Sequence, residues 1–158
     1  MIALAALLLS VSPPPFDAAW IDPSSYYDVP AGHGPEIAFA ALVGGYLADV
    51  HPAYMVAVAV VETGGTFSSR ANGDGGKSLG LCQIQLSTAR QSLPWLVEED
   101  LLEPGVNVLA AALHFGRLIR LYGRARAPGY YGCGYDCGTT RGARVKYETY
   151  RRLVRGVR

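Results

Sequence analysis

Three observations predict an all-α domain, with short hairpin strands allowed after Glu62. Val108, Ala112, Phe115, Ile119 and Tyr122 recur at the spacing of one helix face. An apolar run, "YMVAVAVVE", begins two residues after Pro52 and ends on a single acid. Between such segments, prolines and glycines fall where helices begin and end. With 158 residues, 50% of them hydrophobic, the chain is long enough to bury the core of one domain.

Taken in order, the first helix is expected from Pro35, a good first-turn residue, with Glu36 at the positive end of the dipole. It continues through "EIAFAALVGGYLA", where Gly44 and Gly45 either pack closely or break its end. A second helix starts near Pro52 and runs to Glu62 or Thr63. Tyr54, Val56, Val58, Val60 and Val61 make it apolar nearly all round, so a central place is expected. Its β-branched content permits a strand over residues 56–61, but the proline start and the length of the run favour helix. "LCQIQLSTARQSL" reads as a third helical piece ending before Pro94. The fourth runs from Pro104 to Tyr122, with Gly123 as the stop signal. A Gly- and Tyr-rich segment covers residues 127–138, and a basic last helix runs from about Thr140 to Val154.

Residues 1–12 read as a signal peptide: the apolar run is shorter than the ~20 residues a spanning helix needs, and Ser10 and Ser12 follow it. Export to the cell envelope or beyond is therefore expected, although no Lys or Arg precedes the run. Residues 13–34 form an extended lead-in, and residues 35–158 the domain proper. No later segment qualifies as a membrane span. Cys133 and Cys137 sit in "CGYDCG", where flanking glycines could let a small disulfide close, leaving Cys82 as a buried apolar residue. Neither the cysteine spacing nor the scattered His33, His51 and His114 points to a metal, and no cofactor is expected.

The net charge of +1 argues neither for nor against an anionic partner overall, and no nucleic-acid partner is expected. The basic run from Arg141 to Arg158 is a solvated helix face or a patch attracted to an anionic polymer. "ANGDGGKS" ends like a phosphate loop but has Ala71 where the first glycine is required, with no strand before it. Glu62 carries more chemistry. One helical turn after Val58 and beside Val60 and Val61, its carboxyl is expected to be partly desolvated, which raises the pKa as a general acid requires. Gly64 and Gly65 then let the backbone turn away and leave room for a ligand.

Read together, "AVAVVETGGTF", "SLGLCQIQLSTA", "LLEPGVNVLAAALHF" and "GYYGCG" resemble the soluble lytic transglycosylases, murein-cleaving enzymes related in fold to goose-type lysozyme. The resemblance covers residues 35–150 and implies a lysozyme-like transglycosylase domain. It matches Glu62 to the catalytic acid/base, with Thr63 in place of the usual serine. Residues 78–84 match a Gly-Leu-Met-Gln-Ile segment, with Cys82 at the methionine, and Asn107 falls on a helix-start asparagine of structural role. Tyr131 matches the tyrosine of the next motif, Tyr130 being the alternative register, and Gly132 stands where asparagine is usual. Tyr147, with Tyr150 behind it, matches a late tyrosine that orients the catalytic carboxyl.

The implied reaction is non-hydrolytic cleavage of the β-1,4 bond between N-acetylmuramic acid and N-acetylglucosamine. Glu62 serves as both acid and base, and Ser78, Gln83, Tyr131 and Tyr147 contact the substrate. The implied partner is the peptidoglycan glycan strand, in a setting such as secretion, conjugation or phage assembly. One alternative is a goose-type lysozyme that hydrolyses the same bond with Asp74 as base; the acidic cluster Glu98, Glu99 and Asp100 looks exposed. Another is a non-catalytic wall-binding or structural module of the same fold.

Overall fold

The computed structural model describes residues 34–134. Among them the architecture is mainly helical, with five α-helices and one small antiparallel sheet. Helix α1 spans Gly34–Ala48 and α2 spans Pro52–Glu62. Three two-residue strands follow: β1 (Asn72–Gly73), β2 (Ser78–Leu79) and β3 (Ile84–Gln85). A one-turn α3 (Leu86–Ala89), the long α4 (Pro104–Tyr122) and a short α5 (Ala127–Cys133) complete the order. The sheet runs β1-β2-β3, with Asn72 opposite Leu79 and Leu79 opposite Ile84. The expected signal peptide, most of the lead-in, the basic last helix, Cys137, Tyr147 and Tyr150 lie outside the described residues.

The sequence places the long helices well because local chemistry fixes their ends. Pro52 opens α2 and Pro104 opens α4. Gly123 closes α4 at a positive φ of 81°, its N–H returning to the Ile119 carbonyl at 2.8 Å. Glu36 does more than complement its own helix: its Oε1 accepts from the Gly105 N–H at 3.2 Å, placing a carboxylate at the N-terminus of α4.

Helix α4 is the spine of the core. Val108, Leu109, Ala110, Ala111 and Ala112 are buried on every side, because α1, α2, α3, α5 and the turn before α4 all pack on it. Its closest partner is α1, and small residues set that approach. A Cβ at Gly44 would come within 2.6 Å of the Ala112 Cβ, and one at Gly116 within 2.6 Å of the Ala48 Cβ. Gly44 therefore packs closely inside α1 rather than breaking it. Met55, Ala57, Val58 and Ala59 are buried in α2, which accounts for that helix being apolar nearly all round.

One expectation is corrected. Over residues 81–93 only Leu86–Ala89 is helical; Ile84 and Gln85 form a strand, and the turn before them has Gly80 at φ 73° and Gln83 at φ 49°. Left-handed residues break a helix. Here a side chain supplies the bonds a helix would have made. Asn107, fully buried, accepts from the Cys82 N–H at 2.8 Å through Oδ1. Its Nδ2 donates to the Leu79 carbonyl at 2.9 Å and the Leu101 carbonyl at 2.8 Å. Gly80 is required beside it, since a Cβ there would meet Asn107 Nδ2 and the Leu101 carbonyl. Residues 127–133, within the stretch noted as Gly- and Tyr-rich, fold as α5, which ends on left-handed Gly134.

Asn107→Ala would leave a buried N–H, a buried carbonyl and a part-buried carbonyl without these partners. It should lower stability by about 3 kcal/mol or more in urea titration. A loss under about 1 kcal/mol would show that the loop is held by something else.

Candidate functional site

Helix α2 ends with its last residue, Glu62, at the wall of a cleft of about 550 Å³. Thr63 finishes the helix: its hydroxyl donates to the Ala59 carbonyl at 2.7 Å and accepts from the Phe67 N–H at 3.1 Å. Gly64 and Gly65 follow at φ 60° and 81° with open space around them, and the chain turns away from the carboxylate. Glu62 is half-buried.

The hairpin supplies the facing wall with Asp74, Ser78, Gln83 and Gln85; α3 adds Thr88. The buried Ser78 donates its hydroxyl proton to Asp74 Oδ2 at 2.7 Å, within the hairpin. Gln83 donates from Nε2 to the Gly80 carbonyl at 2.9 Å. Its Oε1 lies where a Cβ on Gly73 would fall, 2.5 Å away, so glycine is what admits the carboxamide. Helix α4 contributes His114, Leu118 and Tyr122, and α5 contributes Tyr130, Tyr131 and Gly132. Tyr131 is fixed at both ends. Its hydroxyl donates to the Cys82 carbonyl at 2.7 Å, and its ring lies 5.6 Å from His114 and 5.7 Å from Phe115. Tyr130 stacks flat on Tyr122 with ring centres 3.6 Å apart.

Glu62, Ser78, Gln83 and Tyr131, expected from the sequence to act together, thus border one cleft. Asp74 joins them, while Glu98, Glu99 and Asp100 are not among the lining residues. Tyr147 lies outside the described residues. Cys82 does not form the cleft wall itself. It is fully buried behind it as a free thiol, pushed up by burial first and by the nearby Glu62 charge second, so it is no nucleophile near neutral pH. Cys133 is disulfide-bonded. The "ANGDGGKS" stretch spans β1, the turn and the first residue of β2, with no helix following, so it lacks the strand–loop–helix of a phosphate cradle. Among the described residues, no group of three or more His, Cys, Asp or Glu could hold a metal ion.

Sequence reading passed over His114 and Tyr122. The signal was present: His114, Leu118 and Tyr122 recur every fourth residue along α4, as one face of a helix. His114 is the group whose titration the fold changes most clearly within the cleft. Burial first, and the positive Arg117 second, push its pKa from 6.5 to about 4. The ring is therefore neutral near pH 7.

The sign of the resulting pH dependence follows. The unfolded chain takes up this proton near pH 6.5 and the folded protein only near 4. Acidification through that window favours unfolding, while above it the ring adds no pH dependence. Between about pH 7 and about pH 4.5, His114→Gln should lose less melting temperature than the wild type. Equal losses would mean that the ring titrates normally.

Comparison of the whole chain with protein-family models, curated proteins and solved structures gives no match.

Proposed function

We propose that this protein is a peptidoglycan lytic transglycosylase with a lysozyme-like fold and Glu62 as its acid/base. The observation that carries the reading is the position of Glu62. A carboxyl at the end of a buried apolar helix borders a cleft shared with Ser78, Gln83 and Tyr131. Those are the residues that the sequence motifs single out. The cleft volume lies within the ~300–1,000 Å³ of small-molecule sites, and its walls mix tyrosine rings with amides and hydroxyls, as sugar rings require.

In this mechanism Glu62 protonates the glycosidic oxygen between N-acetylmuramic acid and N-acetylglucosamine. The substrate's acetamido group stabilises the oxocarbenium-like centre, as in glycosidases assisted by their substrate. The Glu62 carboxylate then removes the proton of the muramoyl 6-hydroxyl, which closes a 1,6-anhydro ring without consuming water. The glycan strand is thus the partner, and the cell envelope the place of action, in keeping with the apolar N-terminal run.

A hydrolytic variant has one specific observation in its favour. Asp74 borders the same cleft and accepts the Ser78 hydroxyl, so a second carboxylate is available to activate water as in goose-type lysozyme.

Mass analysis of digested murein decides between them. The transglycosylase yields anhydromuramoyl ends lighter by one water than hydrolysed ends. Glu62→Gln should lower cleavage by about 10²-fold or more while sugar binding persists. Asp74→Asn should leave most cleavage in place for the transglycosylase and remove it for the hydrolase. Murein that is bound but never cut by the wild type would leave a wall-binding module instead.

A further inference from the structure

We infer that His114 is a substrate-contact residue whose Nε2–H donates a hydrogen bond to an uncharged oxygen of the bound glycan, foremost an N-acetyl carbonyl. The inference deepens the murein reading and rests on it.

The first ground is the ring's own geometry. His114 borders the cleft, yet its Nδ1 is buried with no hydrogen-bond partner. The inward nitrogen is thus Nδ1, and the edge left for the cleft carries Nε2. An orphaned buried N–H is rarer than an under-satisfied acceptor, so the proton belongs on Nε2. The Tyr131 ring, 5.6 Å away and tilted by 47°, packs against the imidazole, and Tyr131 is itself pinned to the Cys82 carbonyl. The donor is therefore held in one direction before any ligand arrives.

A second ground is the balance of donors and acceptors. Among the residues matched to substrate contacts, Ser78 commits its proton to Asp74, Tyr131 to Cys82 and Gln83 one of its two N–H protons to Gly80. Gln85, Thr88, Tyr122 and Tyr130 also border the cleft and carry donor groups, so His114 is one donor among several there. An acetamido carbonyl needs a donor, and His114 supplies one from the long helix rather than from the hairpin.

Neutrality completes the argument. A cationic ring in this cleft would favour the ionised form of Glu62 and oppose its action as an acid. The charged groups around the ring are Glu62 from α2, Asp74 from the hairpin and Arg117 on α4 itself, with tyrosines from α5. Burial and Arg117 keep the imidazole uncharged down to about pH 4, so the donor works without adding charge.

The test uses an N-acetylglucosamine tetramer, with the matching glucose tetramer as the ligand lacking acetamido groups. In calorimetric titration, His114→Phe, which keeps a ring against Tyr131, should weaken binding of the first by about 10-fold. His114→Gln, which restores an N–H, should recover most of it, and affinity for the glucose tetramer should not change. In the wild type, nitrogen-15 spectra of the imidazole should place the proton on Nε2 and move that signal on adding the acetylated tetramer. A proton on Nδ1, a signal unmoved by ligand, or wild-type affinity in a folded His114→Phe protein overturns the inference. Murein cleavage with an unchanged KM in His114→Phe removes this contact alone. Tetramer binding that depends on His114 in a protein that never cuts murein removes the catalytic reading alone. No tetramer binding by the wild type overturns the contact as well.

Discussion

The carboxamide of Asn107 is the contact on which the site depends. A single fully buried side chain holds the Cys82 N–H and the Leu79 and Leu101 carbonyls, joining the β2–β3 turn to the start of α4. The turn it secures has bonds of its own from Gln83 to the Gly80 carbonyl, but Gly80 and Gln83 have left-handed backbones and cannot pass bonds along a helix. From there the order propagates. The Cys82 carbonyl receives the Tyr131 hydroxyl, and the Tyr131 ring packs against His114, back on the helix that carries Asn107. The loop closes on α4, so one rigid helix sets both the hairpin and the tyrosine wall.

The other wall depends on close packing. Gly44 and Gly116 let α1 and α4 approach to a distance that a single extra Cβ would forbid. Helix α2 packs into the same core through Met55, Ala57, Val58 and Ala59, and it stops where the Gly65 N–H closes onto the Val60 carbonyl and the Thr63 hydroxyl adds a second bond to the Ala59 carbonyl. Glu62 is therefore delivered by a buried element rather than by a loop. That is the arrangement expected where the angle of a carboxyl must be fixed before a substrate arrives.

Electrostatically, the cleft sets the carboxyl groups of Glu62 and Asp74 along the same wall system as a neutral imidazole. The free thiol behind the wall feels the Glu62 charge and is kept protonated, so it adds no charge of its own. One proton each of Ser78, Gln83 and Tyr131 is committed to a neighbour, which makes these residues a frame for the cleft.

The sequence alone determined what local chemistry decides. Pro52, Pro104 and Gly123 marked helix ends because a ring-locked φ starts a helix and a glycine φ of 81° ends one. The same local pattern put an acid at the end of an apolar run. Only the tertiary structure decided the path of residues 80–85, because the bonds that hold it come from Asn107, 25 residues beyond Cys82. It also decided that His114 and Tyr122 meet the hairpin, and that Tyr131 bonds to a carbonyl 49 residues away. A helical period reports which residues share a face, but not what that face will touch; that follows from how closely glycine and alanine let the helices pack.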